Sequence, residues 1–253
     1  MSRVFITGSA DGLGRLAAQT LLGDGREVVV HVRKRDRLTA VRDLLDRGAA
    51  AVVGDLADMN STRSVAEQVN DLGRMDAVIH NAGVYAGPQI LPINVVAPYL
   101  LTALIDRPQR LVYLSSSEHR GGRPDLTRID WTSRNGRYPD SKLFVTALAA
   151  AVARLWPDAL SNAVDPGWVP TRMGGAGAPD DLRLGHLTQE WLATSDEPEA
   201  RTSGGYWHHQ RRFEPHPAVN LVRFQDQLLD ELATFTGAQL SHAPNATAND
   251  TST

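Results

Sequence analysis

Thr7-Gly8-Ser9-Ala10-Asp11-Gly12-Leu13-Gly14 constrains the fold more than any other stretch of this chain. Arg3-Val4-Phe5-Ile6 before it reads as a short buried strand. Arg15 to Leu22 after it reads as a helix, with Leu16, Ala17, Thr20 and Leu21 near helical spacing. A strand that enters a helix through a glycine-rich turn makes a phosphate-binding corner. The glycines allow a tight turn and close approach of the backbone to a pyrophosphate, and the helix N-terminus offers free N–H groups and a positive dipole end.

Strands and helices alternate from there on. Strands are expected at Glu27–Val32, Ala50–Gly54, Asp76–His80, Arg110–Leu114 and Leu160–Val164, with Gly204-Gly205-Tyr206-Trp207 as a turn and last strand. Helices are expected at Asp36–Arg47, Ser61–Leu72, Ile93–Ile105, Tyr138–Leu155, Leu182–Ala193 and Asn220–Phe235. Such alternation gives an α/β fold with a parallel sheet covered by helices on both faces. One domain is expected over 1–242, with the polar stretch 243–253 as a disordered tail.

Composition removes several function classes. The net charge is −3, so no global basic field points to nucleic acid. There is no cysteine, which excludes disulfides, thiolate metal sites and a cysteine nucleophile. His208, His209 and His216 lack the carboxylate or cysteine spacing of a metal site, so no metal is expected. The most apolar stretch, Leu143 to Trp156, contains Arg154 and is too short to span a bilayer. No secretion signal is read at the start, and the cytoplasm is the expected compartment.

The ordered motifs resemble those of the short-chain dehydrogenase/reductase family. Thr-Gly-x-x-x-Gly-x-Gly matches its glycine signature over Thr7 to Gly14, and Asn81-Ala82-Gly83 its second signature. A serine-bearing strand end at Ser115-Ser116-Ser117 and the pair Tyr138 and Lys142 follow, four residues apart and on one helix face. Pro166-Gly167-Trp168-Val169-Pro170-Thr171 is similar to the family's loop over the nicotinamide. The longer segment between Ser116 and Tyr138, with Asp130-Trp131, looks like the insert of the carbonyl-reductase and retinol-dehydrogenase-like branches, placed beside the substrate mouth. The resemblance runs from about Arg3 to Leu240 and implies a single-domain Rossmann-type doubly wound sheet. A substrate lid is expected at about 170–200, where Met173, Leu187 and Trp191 either line the lid or pack in the core.

The resemblance also implies roles. The dinucleotide is expected on Thr7, Gly8, Asp11, Gly12, Leu13 and Gly14, then on Asp55, Leu56, Asn81, Ala82 and Gly83. At the nicotinamide end it is expected on Tyr138, Lys142, Pro166, Gly167, Val169 and Thr171. Asp55 has the alternative of capping a helix. At the end of the second strand an acid would hold a ribose 2′-hydroxyl and an arginine a 2′-phosphate. Arg33-Lys34-Arg35, with no acid before Asp36, favours NADP(H) over NAD(H) through Arg33 and Arg35, the alternative being a solvated basic turn. Tyr138 is the expected general acid/base and Ser116, or with a one-residue shift Ser117, the carbonyl hydrogen-bond donor.

Lys142 is expected to lower the Tyr138 pKa and hold the ribose. Asn94 is expected to hold a relay water with its main chain. Pro98 has no N–H for the Asn94 carbonyl, although a plain proline kink would look the same. His80 reads as a packed histidine.

The expected activity is hydride transfer between NADP(H) and a small carbonyl or alcohol, bulky and lipophilic or aromatic, by a monomer or homodimer. The competing readings are an epimerase or dehydratase on the same scaffold and a non-enzymatic Rossmann-type NADP-binding sensor or interaction protein.

Overall fold

The computed structural model describes residues 2–127, 129–132 and 136–240. The expected tail, 243–253, lies outside them, as does the end of the expected domain at 242. Seven parallel strands and one antiparallel strand form a single sheet in the order β3-β2-β1-β4-β5-β6-β7-β8. The strands are β1 (Arg3–Ile6), β2 (Glu27–Val32), β3 (Ala50–Val53), β4 (Ala77–His80), β5 (Arg110–Leu114), β6 (Leu160–Asp165), β7 (Tyr206–His208) and β8 (Arg211–Phe213). The order reverses between β1 and β4, the place where an open α/β sheet has its ligand crevice. This is the parallel α/β sheet that the alternation implied, doubly wound as the family resemblance implied.

Both faces are covered. Helices α1 (Gly12–Gly23), α2 (Arg42–Asp46) and α6 (Leu182–Thr194) belong to one side. Helices α3 (Met59–Asp71), α4 (Ala97–Leu104), α5 (Tyr138–Leu155) and α7 (Val222–Thr236) belong to the other. Strand residues alternate between the two cores. Val4 and Ile6 join Ala17, Ala18 and Leu21 of α1, while Phe5 joins Val65, Ala66 and Val69 of α3. The helices begin at local signals: Asp58 Oδ1 accepts the Ser61 N–H at 2.7 Å and Asp181 Oδ1 the Leu184 N–H at 2.9 Å. Gly237, at φ +69°, ends α7 in the left-handed conformation.

Three segments differ from the expectation. Asp36–Arg47 is a 3-10 turn over Arg35–Val41 followed by the short α2, not one helix. A tertiary contact competes with the helical ladder there, because the Arg15 guanidinium donates to the Ala40 carbonyl and pairs with Asp43. Ile93–Ile105 is a π-turn over Pro92–Val96 running into α4, with the Ala97 N–H bonded five residues back to Pro92. Pro98 lacks the donor that a regular ladder would need. After β7 a hairpin adds β8, which was not expected. Its turn residues His209 and Gln210 have φ of 48° and 59°, the signs a tight two-residue hairpin needs, but neither is the usual glycine or asparagine.

The expected lid divides. Its second half is α6, whose Trp191 packs edge-on to Trp207 at 5.2 Å between ring centroids, inside the core. Met173 in the first half is exposed. The insert before Tyr138 is anchored by the buried Trp131, which meets Phe144 of α5 at 6.0 Å. Among the described residues no helix is long and apolar enough to cross a membrane.

Candidate active site

The crevice over β1 and β4 is a pocket of about 580 Å³. Its floor is the glycine-rich turn, laced to the Asn81-Ala82-Gly83 strand exit. Asn81 Nδ2 donates to the carbonyls of Thr7 at 2.9 Å and Gly8 at 3.2 Å, and the Ala82 N–H donates to Thr7 Oγ1 at 2.9 Å. Gly8, at φ +64°, packs so close that a Cβ would lie 2.9 Å from Ala82 Cα. A Cβ on Gly14 would lie 2.3 Å from Asn81 Nδ2. Thr7 and Gly14 thus stand behind the pocket as supports, while Gly8, Asp11, Gly12 and Leu13 line it.

His31 of β2, with no role expected from the sequence, holds this floor in place. Its Nδ1 accepts the Gly8 N–H at 3.0 Å, so Nε2 carries the proton and donates to Gly54 O at 2.8 Å. Burial lowers its pKa, which keeps the ring neutral as this bonding requires.

At the same end of the pocket Arg33 lines the wall and Arg35 does not. Arg37 does, from the 3-10 turn, and pairs with Asp11 at 3.5 Å. The sequence pattern pointed to a basic run but not to which of its members faces inward. Asp55 and Leu56 also line the pocket. Asp58 caps α3, so the Asp55 carboxylate is not used for that; its Oδ1 accepts the Ala57 N–H at 3.0 Å.

At the other end α5 presents Tyr138 and, one turn on, Lys142. Both line the pocket. The Lys142 ammonium is buried, donates to Leu114 O at 2.7 Å and lies 5.5 Å from the Tyr138 ring centroid. Burial pulls it down to about 8, opposed by the Asp165 carboxylate. The three serines of the strand exit separate clearly. Ser115 Oγ is bonded to Thr146 Oγ1 at 2.6 Å and Ser117 is exposed. Ser116 is half-buried and opposes the rise of the Tyr138 pKa, while Ser115 is the serine that lines the pocket.

The Tyr138 pKa differs from the expectation. Burial dominates and raises it, and Ser116 opposes that only in part. In this geometry the phenol is held protonated.

Asn94 lies behind the pocket, buried, on the π-turn. Its Nδ2 donates to Val84 O and to Ser141 Oγ, each at 3.0 Å, and its Oδ1 accepts the Val84 N–H at 2.8 Å. Ser141 Oγ donates in turn to Tyr138 O at 2.8 Å, so this one amide joins the strand exit to the first turn of α5. Of the loop after β6, Pro166 and Thr171 line the pocket, whereas Gly167 and the buried Val169 do not. Met173, named with the expected lid, lines the pocket; lining residues without a sequence signal include Val84, Gln89, Ile93, Leu114 and Arg172. They come from four segments that only the fold brings together.

His80 stacks on Tyr113 at 4.6 Å, with Nε2 3.2 Å from Thr102 Oγ1 and a pKa pushed down by burial to about 3. It is a core residue. Among the described residues no group of three or more His, Cys, Asp or Glu is placed to hold a metal ion.

The arrangement suits a dinucleotide. A turn that no larger residue would fit runs under one end, Arg33 and Arg37 stand beside it, and Tyr138, Lys142 and Ser115 line the other. Comparison with known proteins agrees. The short chain dehydrogenase family model matches residues 2–100. The short-chain dehydrogenase chyC of Penicillium rubens is 34% identical over 95% of this chain and 99% of its own. Human retinol dehydrogenase 13 is 27% identical over 68% of this chain and 60% of its own.

Among solved structures, a protein of Mycobacterium paratuberculosis superposes with a TM-score of 0.79 at 23% identity, covering 95% of both chains. A blue fluorescent protein from a metagenomic library, in complex with NADPH, has a TM-score of 0.68 at 22% identity over 82% of this chain and 95% of its own. With a relative this similar end to end, on this sheet order and with these motifs in sequence, the chain belongs to the short-chain dehydrogenase/reductase family.

Proposed function

We propose that the protein is an NADP(H)-dependent oxidoreductase that interconverts a carbonyl compound and its alcohol. The observation that carries this reading is the placing of Tyr138 and Lys142, one turn apart on α5, in the wall of a pocket whose far end is the glycine-rich turn. NADP(H) is preferred to NAD(H) because Arg33 and Arg37 stand where a 2′-phosphate would lie, with no acid at position 33. The metagenomic neighbour holds NADPH in a fold of the same kind. The turn from Gly8 to Gly14 and the Asn81–Gly83 exit would hold the pyrophosphate and central part of the dinucleotide. Pro166, Gly167, Val169 and Thr171 would close over the nicotinamide.

When bound, the cofactor supplies the hydride to the carbonyl carbon or takes it from the alcohol. Ser116 donates a hydrogen bond to the substrate oxygen and keeps the carbonyl beside Tyr138. Tyr138 transfers its proton to that oxygen as the alcohol forms, and burial favours the protonated phenol needed to start reduction. The Lys142 ammonium stabilises the tyrosinate left behind and holds the nicotinamide ribose. Asn94 shapes the return path for the proton: its carbonyl, to which Pro98 offers no N–H, holds the water that links Lys142 to solvent. Val84, Ile93 and Met173 give this end of the pocket apolar walls, suited to a bulky lipophilic or aromatic substrate.

The cytoplasm is the compartment we expect for such an enzyme. A cofactor sensor would have no need of Tyr138 and Lys142 in this register, and an epimerase or dehydratase would regenerate its cofactor within each turnover. Net loss of NADPH absorbance with a panel of ketones and aldehydes tests the reading. No consumption across the panel, with NADPH bound, would favour the sensor.

A further inference from the structure

We propose that Tyr85 determines specificity by stacking on an aryl group of the substrate, so that the preferred compounds are aryl ketones and aldehydes; this rests on the reductase reading above. Tyr85 follows Val84, which Asn94 pins through both its N–H and its C=O. The Tyr85 ring centroid is 4.7 Å from that of Tyr138, with the planes at 49°. Yet Tyr85 is 53% exposed, an unusual state for so large a ring beside a pocket. One part of the ring is covered by Tyr138 and the rest is open.

The position of that open surface follows from the chain. Tyr85 itself stands at the edge of the pocket, outside its lining, while Val84 before it, Gln89 after it and Tyr138 beneath it all line the pocket. A carbonyl oxygen taking a proton from Tyr138 must come within about 2.6–3.2 Å of its hydroxyl. With the two rings 4.7 Å apart, a substituent on that carbonyl is brought towards Tyr85. A flat π-face at this place rewards a planar aromatic substituent, because ring pairs gain from offset or edge-on contact beyond their shared apolar area. A saturated ring of the same carbon skeleton gains only the area.

The test uses acetophenone and cyclohexyl methyl ketone, which share one skeleton. Their binding to the full-length protein with NADP⁺ is measured by calorimetry, where no turnover is possible, and their reduction is measured with NADPH. Acetophenone should bind roughly three- to tenfold tighter than the saturated ketone. Tyr85→Ala should bring the ratio to within about twofold, whereas Tyr85→Phe, which keeps the ring, should retain it. NADPH affinity should be the same in all three proteins.

A ratio near one in the unmutated protein, a ratio unchanged in Tyr85→Ala, or a parallel loss of NADPH affinity would overturn the inference. The predicted binding ratios without NADPH consumption would support the stacking role and count against the reductase reading alone.

Discussion

His31 and Gly8 are joined across two strands: the Gly8 N–H donates to His31 Nδ1 at 3.0 Å, and the other ring nitrogen is committed to Gly54 O. The bond exists only with a neutral ring. Burial holds the His31 pKa below its usual value in the folded chain, whereas the unfolded chain takes up that proton near pH 6.5. The stability that His31 contributes is therefore complete above about pH 6.5 and is lost as the pH falls below it.

His80 and His119, also lowered by burial, act in the same direction. Urea unfolding measured from pH 7.5 to 5 should show stability falling with acid. His31→Gln, which cannot titrate, should flatten the slope by up to about one proton and weaken NADPH binding. An unchanged slope would mean that His31 is not the titrating clamp described here.

Coenzyme choice should depend on Arg33 and Arg37. A guanidinium meets a phosphate in two-point geometry, and a charge-assisted hydrogen bond is worth about 1.5–3 kcal/mol. Arg33→Asp should weaken NADPH by about that amount and leave NADH nearly unchanged. Arg37→Ala should act in the same direction. Asp11→Asn should strengthen NADPH, because it removes a negative charge 3.5 Å from the Arg37 guanidinium. Fluorescence titration with both coenzymes decides the matter, and an unmutated protein that binds NADH more tightly would refute the assignment.

The hydroxyls proposed to react make separable predictions. Tyr138→Phe removes one oxygen and should cut turnover about 10²-fold or more with NADPH affinity retained. Ser116→Ala should lower turnover with little change in coenzyme binding, and Ser117→Ala should have little effect on either, since Ser117 points away as an exposed side chain. Lys142→Ala should lose turnover and coenzyme affinity together. Full turnover by Tyr138→Phe would eliminate the proposed mechanism.

The pH profile adds a further check on Lys142. Its ammonium is pulled down to about 8, so the fraction charged declines through that value as pH rises. The rate of carbonyl reduction, followed with saturating NADPH, should hold below about pH 8 and fall above it. A profile that is flat to pH 10 would show that the charge on Lys142 is not needed.

Gly14 should tolerate no side chain. The Cβ of Gly14→Ala would sit 2.3 Å from Asn81 Nδ2 and 2.8 Å from Gly8 O, so Asn81 would have to release the glycine-rich turn. Overpacking of this kind costs about 1–3 kcal/mol, which should appear as a lower Tm together with weak NADPH binding. Gly25→Ala is a contrast: no atom lies within 4 Å of the position its Cβ would take, and only the backbone strain of φ +74° opposes it. Retained NADPH affinity in Gly14→Ala would contradict the lacing of the two loops.

Much of the architecture was legible because it is written in short-range patterns. The glycine spacing of Gly8, Gly12 and Gly14, the apolar runs of β1, β2 and β5, and the pairing of Tyr138 with Lys142 four residues on all depend on neighbours in sequence. Two of the three misread segments are those where a distant group intervenes; the third, the π-turn before α4, follows from Pro98 nearby. Arg15 takes the Ala40 carbonyl and divides the expected helix, and β8 exists because β7 gives it an edge to pair with across a turn without glycine.

The sequence by itself determined the alternating α/β plan and the placing of Tyr138 and Lys142 one turn apart on a single helix, since helical and strand periods and a one-turn spacing are local properties. Only the tertiary structure decided which of three consecutive serines meets Tyr138, which arginine besides Arg33 faces the pocket, and that His31 locks the glycine-rich turn. It also decided the Tyr138 proton: two residues on one helix face imply a lysine that lowers the tyrosine pKa, but in the folded chain burial raises it and Ser116, not Lys142, is the group that opposes the rise. Burial and side-chain direction are sums over neighbours from the whole chain, and a linear pattern does not contain them.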